Sequence, residues 1–213
     1  EAFLHSVKFP YTVGYGMTEC GPAIAFDHWQ TFRPTSCGKA VDRMEIRIDS
    51  PDPFKQVGEI LTKGMNVMDG YYNNPEASNT VLSPDGWLHT GDLGVLDPDG
   101  YLYIKGRSKS LILGPSGQNI YPEEIEDLLN AQPYIAESLV IEREGKLVAL
   151  VYPDAEAMKQ NKISCETLLK IIHETRKQIN QQIPAYSQIA RIEIHDEEFE
   201  KTPKRSIKRF LYQ

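Results

Sequence analysis

Cysteine is scarce in this 213-residue chain, and its three copies, Cys20, Cys37 and Cys165, are widely spaced with no Cys-x-x-Cys among them. That excludes a disulfide framework and a thiolate zinc site, and it fits a reducing cytoplasm, the expected location. A surplus of positive charge is also missing. The net charge is -7 and the pI about 5.3, so the chain lacks the excess Lys and Arg that nonspecific nucleic-acid binding needs to neutralise phosphates. No apolar run approaches the ~20 residues that span a bilayer, and no charged-then-apolar signal pattern opens the sequence; peripheral membrane contact stays open. The five histidines show neither i, i+4 metal spacing nor His-Glu-x-x-His, and no Ser-His-Asp or Cys-His nucleophile set is readable. Gly114-Pro115-Ser116-Gly117 looks like a phosphate loop but lacks the Gly-Lys-Ser/Thr ending that supplies charge and a metal ligand, so it reads as a hairpin tip.

What is present is an α+β pattern with enough apolar content, 40%, for two small cores. Period-two runs at Met44–Ile48, Gly58–Thr62, Gly94–Leu96 and Tyr101–Ile104 predict strands. Asp97-Pro98-Asp99-Gly100 joins the last two as a tight turn, with proline and glycine where fixed and positive φ are needed. The texture changes after Arg107. Pro122-Glu123-Glu124 opens a helix with proline in its first turn and acids at its positive end. Ser138–Ile141 and Leu147–Val151 read as a strand pair around Glu144-Gly145, 164–182 as an amphipathic helix carrying Leu168, Leu169, Ile171, Ile172 and Ile179, and Ile189–Ile194 as a further strand. A tail with five cations in nine residues, Lys201 to Arg209, reads as a solvated or polyanion-attracting end.

Three stretches carry chemistry. In Tyr15-Gly16-Met17-Thr18-Glu19, glycine would let backbone approach a nucleotide, the Tyr15 ring could stack on a base, Thr18 bond a phosphate oxygen and Glu19 hold Mg2+, a hard cation that prefers oxygen. The same residues also suit a strand that ends in a glycine turn with Glu19 solvated. Asp92, in Trp87-Leu88-His89-Thr90-Gly91-Asp92, could accept both hydroxyls of a ribose, or be an Asp in a turn after a buried tryptophan. Gly106-Arg107-Ser108-Lys109-Ser110, followed by Gly117-Gln118-Asn119-Ile120-Tyr121-Pro122, reads locally as a basic linker, a glycine turn and a capped helix.

Taken together and in order, these motifs resemble the adenylate-forming superfamily of acyl-CoA synthetases, luciferases and peptide-synthetase adenylation domains. The likeness runs from Tyr-Gly-Met-Thr-Glu through Thr-Gly-Asp, Gly-Arg and Pro-x-Glu-Ile-Glu to the Lys-Thr-Pro tail, and is greatest to the long-chain fatty acyl-CoA synthetase branch. The resemblance implies a two-step reaction. A carboxylate attacks the α-phosphate of ATP to give acyl-AMP and pyrophosphate, and the thiol of CoA then takes the acyl group. It implies roles by position: Tyr15 and Gly16 against adenine, Thr18 on the AMP phosphate, Glu19 on Mg2+, Asp92 and Arg107 on the ribose, Lys109 at a hinge. Gly117 lies in the segment 111–120 that would enter the site for thioester formation. It also implies a division into the end of a large domain (1–35), a β-rich, distorted barrel-like subdomain (36–106) and a mobile α+β domain (107–213).

Two departures qualify the match. The superfamily's Ser/Thr/Gly-rich phosphate loop and most of its acyl pocket lie upstream of the motif that here begins at residue 14, so the chain is expected to be a C-terminal portion that needs the N-terminal part of the same protein and does not complete adenylation alone. The tail lysine that meets the α-phosphate in long-chain relatives falls on Ser206. Either Lys204 or Lys208 replaces it, or adenylation is impaired by a factor on the order of 10²–10³. An acyl-carrier-protein ligase, an aryl-acid ligase and a noncatalytic nucleotide-binding module remain as alternatives.

Overall fold

The computed structural model describes residues 1–203 and 205–213, with the side chain of Ala2 left aside. Lys204, one of the two candidate substitute lysines, lies outside the described residues. The chain forms two compact units, Glu1–Ser108 and Lys109–Gln213.

The first unit opens with a short helix α1 (Ala2–Ser6) and a three-stranded antiparallel sheet of β1 (Tyr15–Gly16), β2 (Ala23–Phe26) and β3 (Lys39–Ala40). Four longer strands, β4 (Met44–Asp49), β5 (Gly58–Gly64), β6 (Leu88–Leu96) and β7 (Leu102–Arg107), pair antiparallel in sequence order. This sheet is open, with β4 and β7 at its edges, rather than barrel-like. Between β5 and β6 lies α2 (Pro75–Val81), whose first turn is set by Pro75 and capped by Asn74, which accepts from the Ala77 N–H. An Asn-Pro-Glu start of this kind satisfies an orphan donor and places acid at the positive end. The β6–β7 turn closes with Gly100 at φ +84 and its N–H donating to the Asp97 carbonyl at 2.9 Å. Both sheets share one core, in which Tyr15, Cys20, Ile24 and Ala25 meet Met44, Ile48, Ile60, Leu88 and Leu102. The first unit thus holds together the segments 1–35 and 36–106.

The second unit starts with a small hairpin, β8 (Ile112–Leu113) and β9 (Asn119–Ile120), and α3 (Pro122–Asn130). A three-stranded sheet follows: β10 (Ile135–Arg143) antiparallel to β11 (Lys146–Pro153), and β11 parallel to β12 (Ile189–Ile194). The parallel step is spanned by α4 (Ala155–Gln160) and α5 (Cys165–Gln182), as a parallel connection requires. Ser164 caps α5 by accepting from the Thr167 N–H, and its buried face carries Leu168, Ile172, Thr175 and Ile179, whereas Leu169 is exposed. The near-continuous apolar runs of β10 and β11 have a physical reason: both faces of the sheet are covered. Val140, Leu147, Ala149 and Val151 pack with α3 and α5 residues Ile125, Leu129 and Ile179. Leu139, Ile141, Val148 and Leu150 lie under Phe199, with Ile207 and Tyr212 against them, so the tail supplies the second cover. Each such buried Leu, Ile or Phe contributes about 1.5–3 kcal/mol.

The three cysteines are free and differ in environment. Burial, and then the negative charge of Glu19, push the Cys20 thiol up to about 11, which leaves about a thousandth of it as thiolate near pH 8. Burial also raises Cys37, whereas Cys165 is exposed. Maleimide labelling at about pH 8 is expected to modify Cys165 first, Cys37 more slowly and Cys20 only on unfolding. Labelling of Cys20 as fast as Cys165 would contradict this packing.

Candidate active site

The Tyr-Gly-Met-Thr-Glu stretch folds as the two-residue strand β1 followed by a 3-10 turn over Thr18–Cys20. The turn is held from several sides. Met17 N–H donates to the Pro22 carbonyl (2.8 Å), Met68 N–H donates to the Glu19 carbonyl (2.8 Å), and the Asn66 amide donates to the carbonyls of Cys20 (2.7 Å) and Ala23 (2.8 Å). Gly16 is required here because a Cβ at that position would stand 2.1 Å from the Pro22 carbonyl oxygen. Thr18 is exposed and Glu19 half-buried. Glu19 Oε1 accepts the Tyr71 hydroxyl at 3.0 Å, and Tyr71 is itself tied through its N–H to Ser78 Oγ of α2 (2.8 Å).

Asp92 lies in β6 rather than in a turn, and Trp87 is half-buried beneath Arg47 rather than buried. A bulge makes Asp92's position: the β5–β6 register shifts between Glu59 and Leu61, and Gly91 takes φ +72. Glu59 secures it, one carboxylate oxygen accepting the Gly91 N–H (2.9 Å) and the other lying 2.9 Å from His89 Nδ1. Thr90 Oγ1 donates to the Ile60 carbonyl (2.7 Å) and accepts the Asp92 N–H (3.1 Å). A bulge re-aims the side chain that follows it. Here the result is a cluster around a buried carboxylate, with Asp92 Oδ2 accepting the Tyr15 hydroxyl at 2.6 Å and Oδ1 held by Arg107 Nε at 3.0 Å. Burial, then the charge of Asp92, raise the Tyr15 phenol, so it stays protonated as the donor. Arg107 leaves most of its side chain in solvent, 66% exposed, with guanidinium nitrogens to spare for a ligand.

Tyr15, Asp92 and Arg107 are therefore joined directly, and Thr18 and Glu19 sit in the turn that continues from Tyr15. Glu59 and Tyr71 carry no signal in the sequence, and Thr90 is legible there only as part of Thr-Gly-Asp, without its bonding role. Glu59 sat within a strand run, and the Gly-Tyr-Tyr at 70–72 had no neighbour in sequence to give it meaning.

Among the described residues no group of three His, Cys, Asp or Glu side chains is placed to hold a metal. A single half-buried carboxylate, as at Glu19, fits Mg2+ that is shared with substrate phosphates, because this ion keeps waters and takes one or two protein oxygens. The remaining candidates belong to the second unit. Lys109 is its first residue and is exposed in a short 3-10 turn, Ser108–Ser110. Gly117 forms the β8–β9 tip at φ +81, with its N–H on the Gly114 carbonyl (2.9 Å). Lys208 Nζ is paired with Glu200 at 3.1 Å, and Ser206 is exposed. The tail is no freely solvated basic run: Lys201 binds Glu137 and Glu198, and Arg209 binds Glu126.

Two family models match in order along the chain, the AMP-binding enzyme model over residues 2–72 and the AMP-binding enzyme C-terminal domain model over 109–212. The chain belongs to the AMP-binding, adenylate-forming enzyme family. It is 37% identical over 150 residues to a long-chain-fatty-acid–CoA ligase of Gallus gallus, covering 70% of this chain and 20% of that protein. It is 40% identical over 147 residues to 4-coumarate–CoA ligase 5 of Oryza sativa subsp. japonica, covering 63% of this chain and 27% of that one. The solved O-succinylbenzoate coenzyme A synthetase of Bacillus subtilis, in complex with its acyl-adenylate intermediate, superposes with a TM-score of 0.80 at 29% identity, over 100% of this chain and 43% of that chain. The chain thus spans less than half the length of these relatives. Among the described residues no helix is long and apolar enough to cross a membrane.

Proposed function

We propose that the chain is the C-terminal portion of an AMP-forming acyl-CoA ligase that joins a carboxylic acid to CoA through an acyl-adenylate, with a fatty acid as the preferred acid. The observation that carries this reading is the cluster of buried Tyr15 and Asp92 with the exposed Arg107, beside the Thr18–Glu19 turn, in a chain whose two halves match the family in order. In this reading Asp92, its charge anchored by Arg107, accepts the ribose hydroxyls. The Tyr15 ring, its hydroxyl held by Asp92, is the aromatic group for adenine, which the backbone approaches closely at Gly16. Thr18 donates to the AMP phosphate. Mg2+ would supply charge neutralisation to the phosphates of ATP, and Glu19 is the residue to hold it, its carboxylate oriented by Tyr71. Lys109 at the start of the second unit is the hinge, and the β8–β9 hairpin with Gly117 serves thioester formation with CoA, a conformational alternation of the kind that often limits rate. Lys204 or Lys208 supplies the cation missing at Ser206. The division into 1–35, 36–106 and 107–213, and dependence on an N-terminal part of the same protein, belong to the same proposal.

The acid is the finer point, since the relatives named above span fatty and aryl acids. Their chemistry is separable by product. The full-length protein, given ATP, Mg2+, CoA and a panel of fatty and aryl acids, is expected to yield fatty acyl-CoA by mass spectrometry, whereas the 213-residue chain alone yields none. Preferential aryl-CoA formation would replace the fatty acid assignment. Acyl-adenylate without any CoA thioester would overturn the CoA assignment in favour of a carrier-protein acceptor.

A further inference from the structure

The tail of the second unit is shaped by ion pairs to a degree that apolar packing alone does not require. Its two arms pair with each other: Lys201 and Ile207 form an antiparallel bridge, Thr202 N–H donates to the Ser206 carbonyl and Lys208 N–H to the Glu200 carbonyl, each at 2.8 Å. One arm is tied to β10 by Lys201 on Glu137. The other is tied by Arg209, which binds Glu126 of α3 and lies 3.6 Å from Glu123. Glu126 and Arg209 also finish the backbone of an edge strand. β10 pairs only with β11, and Val140 in β10 donates its N–H to Glu126 Oε1 (2.6 Å) and accepts from Arg209 Nη1 at its carbonyl (3.2 Å). The pair supplies the bonds that a further strand would make.

This pair is costly. Glu126 is 8% exposed, and burial pushes its carboxyl up even against the opposing pull of Arg209. An apolar pair of similar volume would hold the tail without that desolvation. What the ion pair adds is direction: a planar guanidinium bound at a carboxylate and a carbonyl fixes the angle and register at which the tail leaves the sheet. Phe199, Ile207 and Tyr212 already supply the apolar anchorage.

We propose that Glu126 and Arg209 are positioning residues that set the pose of the tail loop, and through it the aim of the tail's cations at the reacting phosphate. The inference rests on the adenylate-forming reading above. It predicts that the pair matters to acyl-adenylate formation and not to the later transfer to CoA.

The test uses Arg209→Lys, which keeps the charge, and Arg209→Met, which keeps the volume, in the full-length protein. Three quantities are measured: acid-dependent pyrophosphate exchange into ATP, acylation of CoA from supplied acyl-adenylate, and amide exchange at Thr202 and Lys208. For both variants exchange into ATP should fall about 10- to 100-fold in kcat, the loss expected for a misplaced catalytic group. KM for ATP and the turnover of supplied acyl-adenylate should stay within about two-fold of the unsubstituted enzyme. The two amides should exchange faster. Equal losses in both half-reactions, no loss in either, or unaltered amide exchange would each overturn the positioning role. A failure of the unsubstituted protein to exchange pyrophosphate with any acid would instead remove the adenylate-forming reading, and this inference with it.

Discussion

Asp92→Ala is expected to lower acid-dependent pyrophosphate exchange by the full-length protein by about 10²–10³-fold and to destabilise the first unit by about 1–3 kcal/mol. Both effects follow from one location. The carboxylate is buried, and its two oxygens are the partners of the Tyr15 hydroxyl and of Arg107. Truncation leaves the Tyr15 hydroxyl, itself within the core, without its acceptor, and the cost of an unsatisfied buried donor is paid in stability. It also leaves Arg107 without its anchor. Asp92→Asn separates the two effects: a carbonyl oxygen still accepts from Tyr15, so thermal unfolding should shift less than for alanine, while the charge that holds Arg107 is gone and exchange should remain depressed. Equal losses of stability for Asn and Ala would show that charge, and not the hydrogen bond to Tyr15, holds the cluster together.

Gly16→Ala should be the more damaging change to the fold. The added Cβ would meet the Pro22 carbonyl oxygen at 2.1 Å, the Pro22 carbonyl carbon at 3.0 Å and Ala23 Cα at 3.2 Å, all of them backbone. Nothing there is the end of a flexible side chain, so the chain itself must move, and the Met17–Pro22 bond that closes the turn is the first to go. A loss of about 3 kcal/mol or more is expected in a denaturant titration, with Thr18 and Glu19 displaced in consequence. Gly100→Ala is the comparison. Its φ is +84 but no heavy atom lies within 4 Å of the added Cβ, so only backbone strain applies, about 1–2 kcal/mol. If the two variants were equally stable, close backbone approach at Gly16 would not be what fixes the turn.

Local signals are legible in the sequence because their physics is local. The Asp97–Gly100 turn, the Pro122 helix start and the Glu144-Gly145 hairpin, whose residues take φ +54 and +71, each depend on a few neighbouring residues. The helix α2 is not legible although its Asn74-Pro75-Glu76 cap is equally local, because it interrupts a region dominated by period-two strands. The candidate site was legible as a set of motifs but not as a geometry. Tyr15 and Asp92 are 77 positions apart, and what joins them is a bulge at Gly91 steadied by Glu59, which no spacing rule encodes. The tail shows the converse. Five cations in nine residues look solvated by composition, yet Arg209 finds its carboxylate 83 positions away in α3, a pairing that exists only once β10 has an edge to complete.

Acid-dependent exchange of labelled pyrophosphate into ATP by the full-length protein tests the central claim most directly, because it reports reversible acyl-adenylate formation without requiring CoA. Exchange that appears only when a carboxylic acid and Mg2+ are present, and that Asp92→Ala lowers by about 10²–10³-fold, is the expected result. An absence of exchange with every fatty and aryl acid, in a protein that still binds ATP, would contradict it and leave a noncatalytic nucleotide-binding module in its place.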